Sequence, residues 1–342
     1  MPAPVTMAQI AEACGFSRAA VSYVLNRAPK AKGLQPETVS LIEETARRLG
    51  YRFNDAARAV KTGRTRTLAV LTPPLRFESN ILVVHGAALA AVEAGYQIRY
   101  MPVTSEPEQA DAIVAGCRER LIGGAICLNL PHPLLLELHA KAAKAGLLLA
   151  QVADRFDDVP GFAVVADHRQ GARQVIDHLV VLGHRRFAFI VNEPTYSSSV
   201  MRLEGFTAAM AAHGLPVSEG LIKTVHFDAA SVRRATLALL KRKVRPTAIV
   251  CDTDPIALSV LHIVQAEGLR VPEDVSITGY VNLPFCEFTQ PTLTSVDVPT
   301  ELLGQQVARV LIARLEKQEI AEEPAPVPRL IVRGSSGPPP AE

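Results

Sequence analysis

The sequence has no Cys-x-x-Cys pair. Its five cysteines, Cys14, Cys117, Cys127, Cys251 and Cys286, are scattered and odd in number, which speaks against a disulfide frame or a zinc knuckle. Reduced, mostly buried thiols are expected. No apolar run approaches the roughly 20 residues that a membrane-spanning helix needs. The opening MPAPVTMAQIAEAC lacks the basic, apolar, small-residue order of a signal peptide, so a cytoplasmic protein without membrane contact is expected. Gly-x-Ser-x-Gly, a Walker-A loop, Gly-x-Gly-x-x-Gly and His-Glu-x-x-His are also missing, and the nine histidines are dispersed. Catalysis therefore has little support, and neither a cofactor nor a metal site is expected.

What is present excludes a disordered chain: 48% of the 342 residues are hydrophobic and 20% are charged. The length suits one small domain joined to a two-lobed core. The net charge of +2 hides an asymmetry. Residues 1–66 carry 11 Lys/Arg against 5 Asp/Glu, while the remainder is net −4. A basic head on a mildly acidic body fits a protein whose head alone meets a polyanion.

The first fifty residues read as three short helices. Thr6 and Gln9 form a capping-box pattern before Met7, Ile10, Ala11 and Cys14, which share one helical face up to Gly15. Ser17 can cap a second helix whose Ala20, Val21, Val24 and Leu25 face inward. A tight glycine-containing break between two such helices suggests a helix-turn-helix. A third helix starts near Pro36 and repeats Val39, Ile42, Ala46 and Leu49 before Gly50. Residues 51–66 then read as a basic linker in which Asn54 can cap a seven-residue helix over 55–61. A helix that short is marginal alone and forms when something holds it.

From Thr67 onward, β-rich runs alternate with helical ones. Strands are expected at 67–72, 96–103, 123–130, 147–153, 161–167, 185–191, 221–227, 248–251 and 275–281. Helices are expected at such stretches as 80–95, 169–182, 198–213, 230–242 and 254–267. This alternation predicts parallel sheets covered by helices on both faces, in two lobes. The tail SSGPPPAE is expected to be disordered.

In a helix-turn-helix the second helix enters the major groove, and here its outward residues are Arg18, Ala19, Ser22, Tyr23 and Asn26. The same residues also suit the polar surface of any three-helix bundle. The head VTMAQIAEACGFSRAAVSYVLN, the segment LGYRFNDAARAVKTGRTRTLAVL, and then HLVVLGHRRFAFI, RLEGF, GLRVPEDVSITGY, PTLTSV and VRGSSGPP follow one another in a familiar order. Over almost its whole length the chain resembles the LacI/GalR family of bacterial transcription repressors. The resemblance implies an all-α helix-turn-helix head over 1–50, a hinge over 51–66, and an α/β periplasmic-binding-protein-like two-lobed core over 67–334. The N-lobe would take about 67–160 plus 296–320, and the C-lobe about 161–295 plus 321–334. It also implies a homodimer whose heads reach successive major grooves about 34–36 Å apart on a near-palindromic duplex operator, under a small-molecule effector.

By the same resemblance, Arg18, Ala19 and Tyr23 fall on base-reading positions, and Thr6, Ser17, Ser22 and Asn26 on phosphate-contacting ones. Tyr23 stands where the family commonly has arginine, and a phenol cannot hold guanine bidentately. Arg27, Lys30 and Lys32 belong to a longer loop that either adds phosphate contacts or is simply solvated. Val60 takes the place of a leucine that wedges into the minor groove, or else packs against its dimer mate. Arg58, Lys61, Arg64 and Arg66 would then neighbour phosphates, behind the Asn54 cap.

Ligands of open α/β sheets bind beyond the carboxyl ends of the strands. Arg202 in RLEGF matches the family's effector-binding arginine, although Glu204 is a rival partner for it. Thr253 and Asp254 end the strand AIVC, where Asp254 alternatively caps the next helix. Val281 replaces an aspartate that accepts sugar hydroxyls, which puts a hexose effector in doubt unless Asn282 substitutes. Pro73, Pro74, Leu75, Ala166, Asp167, Ser198 and Ser199 are further candidates by position, Asp167 with a rival role as a helix cap. A solute receptor or an enzyme on the same α/β core is the alternative. The first has no use for residues 1–60, and the second lacks a motif.

Overall fold

In the computed structural model Thr6 closes the first turn of α1 (Met7–Cys14): its Oγ1 accepts from Gln9 N at 3.4 Å, and Gln9 Oε1 accepts from Thr6 N at 2.8 Å. Gly15 ends the helix at φ 73°, a left-handed conformation that glycine adopts without penalty. Ser17 Oγ then accepts from Ala20 N at 3.1 Å and starts α2 (Arg18–Leu25). Pro36 opens α3 (Pro36–Arg48). Ile10, Ala11, Val21, Val24, Ile42 and Ala46 are buried together between the three helices.

The structure describes residues 5–25, 31, 33–51, 65–75, 78–104, 106–119, 122–193, 196–226, 228–319 and 323–341. They form two compact units, Met1–Thr65 and Arg66–Glu342. The expected helix 55–61, with Asn54, Arg58, Val60 and Lys61, and the loop residues Asn26, Arg27, Lys30 and Lys32 lie outside the described residues.

The second unit holds two sheets. The first has the order β2–β1–β3–β4–β5. Its strands are β1 (Thr67–Thr72), β2 (Gln97–Pro102), β3 (Gly124–Leu128), β4 (Leu148–Val152) and β5 (Phe162–Val164), all parallel. Side chains alternate between its faces, as the pleat requires. Leu68 and Val70 join one apolar cluster with Ile126 and Leu128, while Ala69 and Leu71 join another with Ala125 and Cys127. Helices α4 (Glu78–Glu93) and α11 (Thr300–Glu316) pack on the first of these clusters, α5 (Ala110–Glu119) and α6 (His132–Ala145) on the second. Gly86 and Gly304 let α4 and α11 approach backbone to backbone: a Cβ at either would lie 2.0 Å from a carbonyl oxygen of the other helix.

The second sheet has the order β11–β10–β9–β8–β6–β7. It comprises β6 (Phe187–Asn192), β7 (Ile222–Val225), β8 (Ala248–Cys251), β9 (Ser276–Val281), β10 (Thr294–Asp297) and β11 (Arg329–Ile331), with α7 (His168–Val181), α8 (Ser197–Ala212), α9 (Ala229–Leu240) and α10 (Asp254–Ala266) around it. The chain passes between the sheets after β5, after β10 and after α11, which makes two lobes with three crossings.

All nine expected strands form, but several expectations need correction. The sheets are not wholly parallel, because β11 returns antiparallel along the edge of β10. Residues 162–164 pair with 150–152, so they extend the first lobe beyond residue 160, and β10 keeps residues up to 297 in the second. Strands β10 and β11 and helices α5, α6 and α11 were not among the expected elements. The tail is ordered rather than disordered. Ser335 is fully buried, its Oγ donates to Ile277 O at 2.6 Å and accepts from Thr294 N at 2.8 Å, and His184 Nε2 donates to Gly337 O at 2.8 Å. The small, proline-rich composition looks like a linker, yet it supplies groups that bind the amino-terminal ends of β9 and β10. No helix of the described residues is long and apolar enough to cross a membrane, and no described group of His, Cys, Asp and Glu is placed to hold a metal.

Candidate functional site

Two surfaces carry the chemistry, one in each unit. In the head, burial of Val21 and Val24 turns the opposite side of α2 outward, so that Arg18 and Ala19 are exposed and Ser22 and Tyr23 half-buried. Four side chains expected to meet DNA thus share one face. Thr6 and Ser17 lie at the starts of α1 and α2. Thr6 is committed to its capping box, where its hydroxyl accepts from Gln9 N and donates to Gln9 Oε1 at 3.1 Å. Ser17 uses one lone pair for the α2 cap, which leaves its proton for an acceptor.

In the core, a cavity of about 140 Å³ lies between the lobes, beyond the carboxyl ends of the strands. Pro73 follows β1, Asn129 follows β3, Ala153 follows β4, Thr253 follows β8 and Val281 ends β9, and all of them line it. Ser198, Ser199 and Arg202 line it from the first turns of α8. Arg202 is 6% exposed and held from three sides. Its Nε lies 3.1 Å from both Ser198 O and Asp252 Oδ1, its Nη1 donates to Asp252 O at 2.6 Å, and its guanidinium sits 4.7 Å from the centre of the Tyr280 ring. Asp252 is fixed in turn by Ser199 Oγ, which donates at 2.8 Å. Glu204 is no rival for Arg202, because it pairs with Arg169.

Five expected effector residues do not reach the cavity wall. The Asp254 carboxylate points into the protein and accepts from Leu283 N at 2.8 Å and Ser295 Oγ at 2.5 Å. Burial pushes its pKa up to about 6. Asn282 donates to Asp297 Oδ1 at 3.0 Å, Ala166 is packed into the apolar cluster between the sheets, and Leu75 stands outside the lining. Asp167 is the cap of α7, accepting from Gln170 N at 3.0 Å.

Comparison with known proteins agrees with this geometry. Residues 176–336 match the periplasmic binding protein-like domain. The transcriptional regulator CelR of Thermobifida fusca is 31% identical over 324 residues, 91% of this chain and 92% of that protein. The chain belongs to the LacI/GalR family. Catabolite control protein A of Priestia megaterium is 29% identical over 336 residues, 96% of this chain and 97% of that protein. The solved CelR–cellobiose complex superposes with a TM-score of 0.72 at 28% identity, covering 97% of this chain and 99% of that one. The lac repressor dimer bound to operator reaches a TM-score of 0.81 at 24% identity, with 98% and 100% coverage, and shows the shared fold. This LacI/GalR member is an effector-controlled, DNA-binding transcriptional regulator.

Within this LacI/GalR chain, sequence reasoning missed the cavity residues that come from helices and crossings. Ser79, Asn80 and Val83 lie in the first turns of α4, His168 opens α7, and Val298, Thr300 and Leu303 belong to the crossing into α11. Asn129 and Ala153 had one local signal, their place at strand ends, and both adopt left-handed φ, 51° and 67°. Asn129 Nδ2 donates to Asn80 Oδ1 at 2.8 Å. His168 is buried, and desolvation together with the nearby Arg202 charge holds its pKa well below the usual value, so it is neutral at pH 7. Asp154, also missed, ties the lobes together: its Oδ1 accepts from Ser197 Oγ at 3.0 Å and Ser198 N at 3.1 Å. Burial raises the Asp154 pKa.

Proposed function

We propose that the protein is a repressor that grips a near-palindromic operator as a homodimer and changes its grip when a small molecule occupies the cavity between the lobes. One observation carries this reading: a head with one outward helix face stands in the same chain as a ligand-sized cavity built around a fixed guanidinium. Arg18, Ala19 and Tyr23 read base edges. Ser17, Ser22, Asn26 and Arg27 position the head on phosphates, and Thr6, whose donors go to Gln9, serves them by fixing the start of α1. Residues 51–66 act as the hinge, in which Asn54, Arg58 and Lys61 face the backbone and Val60 enters the minor groove. Residues 67–334 form the sensor, in which Arg202, Ser198, Thr253, Val281 and Pro73 meet the effector. The role is binding, not catalysis, in the cytoplasm.

The effector acts by preferring one lobe arrangement, and it shifts the equilibrium by no more than that difference in affinity. The Asp154 bridge to Ser197 and Ser198 is a contact that such a motion would make or break. The solved CelR–cellobiose complex supports a small organic effector.

The test is operator selection from random duplexes, followed by binding across a salt series. Affinity should fall steeply with salt, and Arg18→Ala should cost roughly 1–3 kcal/mol and relax specificity at one base pair. A flat salt response would overturn the assignment of the head.

A further inference from the structure

The cavity offers a ligand hydrogen-bond donors and apolar surface, but no carboxylate lines it among the described residues. Three carboxylates are chain neighbours of its wall, and each is turned away. Asp154 is bound by Ser197 and Ser198, Asp252 by Arg202 and Ser199, and Asp254 by Leu283 and Ser295. Asp154 Oδ2 is left unpartnered but buried off the wall, whereas donors are left over on the wall itself. Arg202 binds its neighbours through Nε and Nη1, which leaves Nη2 without a partner among the described residues. Thr253 Oγ1 is buried on the wall with no hydrogen-bond partner. A polyol brings hydroxyl protons that need acceptors, whereas a carbonyl or carboxylate oxygen needs donors.

The rest of the wall is mixed. Val83, Pro255, Val281, Leu283, Val298 and Leu303 give it an apolar stretch, while its remaining polar groups, such as Ser79, Asn129, Tyr196 and Thr300, are neutral and accept more weakly than a carboxylate. Val281 holds φ at 104°, a left-handed conformation that is an outlier for a β-branched residue and that Asp or Asn adopts far more readily. The backbone would favour a polar side chain here, yet the lining residue is a valine that also packs against the apolar cluster.

We infer that the effector is a small compound with an apolar body and a carbonyl or carboxylate oxygen received by Arg202 and Thr253, bound in preference to a polyol. This rests on the reading of the cavity as the effector site. The apolar body lies against Val281 and Leu283, and the oxygen takes the free guanidinium N–H and the threonine hydroxyl.

Calorimetric titration of the full chain without DNA tests it, with benzoate, cyclohexanecarboxylate and ε-caprolactam set against D-glucose and cellobiose. Binding of a carbonyl probe at least about tenfold tighter than either sugar is expected. The acids against the lactam decide whether the bound oxygen is charged or neutral. Thr253→Val removes only an unpartnered hydroxyl, so the free protein keeps its melting temperature while the probe weakens roughly fivefold. Val281→Asp should weaken the acids most and bring in sugar binding. The inference is overturned if a sugar binds the unaltered protein as well as the probes, if no carbonyl probe binds, or if binding ignores both substitutions. A probe that binds in the cavity without changing operator affinity instead defeats the regulatory reading and leaves the ligand class standing.

Discussion

The head and the core are held together by different means. Among the described residues, the head buries six apolar side chains in one cluster and relies on the Thr6 and Ser17 caps to set its helix starts. The core has three clusters, two sheets and helix pairs packed so closely that glycine is obligatory at Gly86 and Gly304. A unit of some 60 residues is marginal because it buries a small share of its surface, while the larger unit has stability to spare. That surplus lets the core keep a cavity, a strained Val281 and several buried carboxylates. The head keeps its chemistry on the outside, where exposed side chains cost the fold little.

The largest effect should come from the core. In Gly86→Val the new Cβ would lie 2.0 Å from Glu301 O, and backbone cannot yield as a side chain does. Destabilisation above about 4 kcal/mol is expected in chemical denaturation. A small loss would mean that α4 and α11 separate easily and that the core is no better locked than the head. Ending the chain at Gly334 comes next. It strips Ile277 and Thr294 of the bonds they make to Ser335, and His184 of its bond to Gly337. At about 1–3 kcal/mol for each buried group left unpaired, a loss of at least about 3 kcal/mol should appear as a lower denaturation midpoint.

The third test concerns pH. Asp254 has a pKa near 6 in the folded chain against an ordinary 3.8, so the folded state binds this proton more tightly than the unfolded state. The stability it contributes is present below about pH 4 and is lost as pH rises through about 6, a change of about 3 kcal/mol. Asp254→Asn should remove this loss, so the wild type gives up more stability than the variant between those pH values; equal slopes would refute the assignment. The smallest effect belongs to the head: Thr6→Ala should cost about 1 kcal/mol and speed amide exchange in α1 while exchange in the core strands stays unchanged.

The same contrast explains what could be read from the sequence. Capping and periodicity act within a few residues, so the Thr6–Gln9 box, the Ser17 cap, the outward face of α2 and all nine expected strands were legible. Arg202 was visible because RLEGF is a local pattern that carries the family resemblance. Its orientation was not, since Asp252 and Tyr280 stand 50 and 78 positions away in the chain and nothing local pairs them with it. Asp254 and Asn282 looked like ligand contacts because both follow strands, but Ser295 and Asp297 on β10 claim them. The tail misled for the same reason: composition reports how little SSGPPPAE can bury by itself and says nothing of the strand ends waiting for it.

The order of residues was enough to determine the helical head, the alternating core and the family, because these depend on short-range spacing and on motifs in series. Only the tertiary structure decided which carboxylates turn away from the cavity, which donors remain free in it, and that the tail is part of the second lobe. Those outcomes depend on hydrogen bonds between groups far apart in the chain, and a buried polar group is satisfied by whichever partner the fold brings within reach.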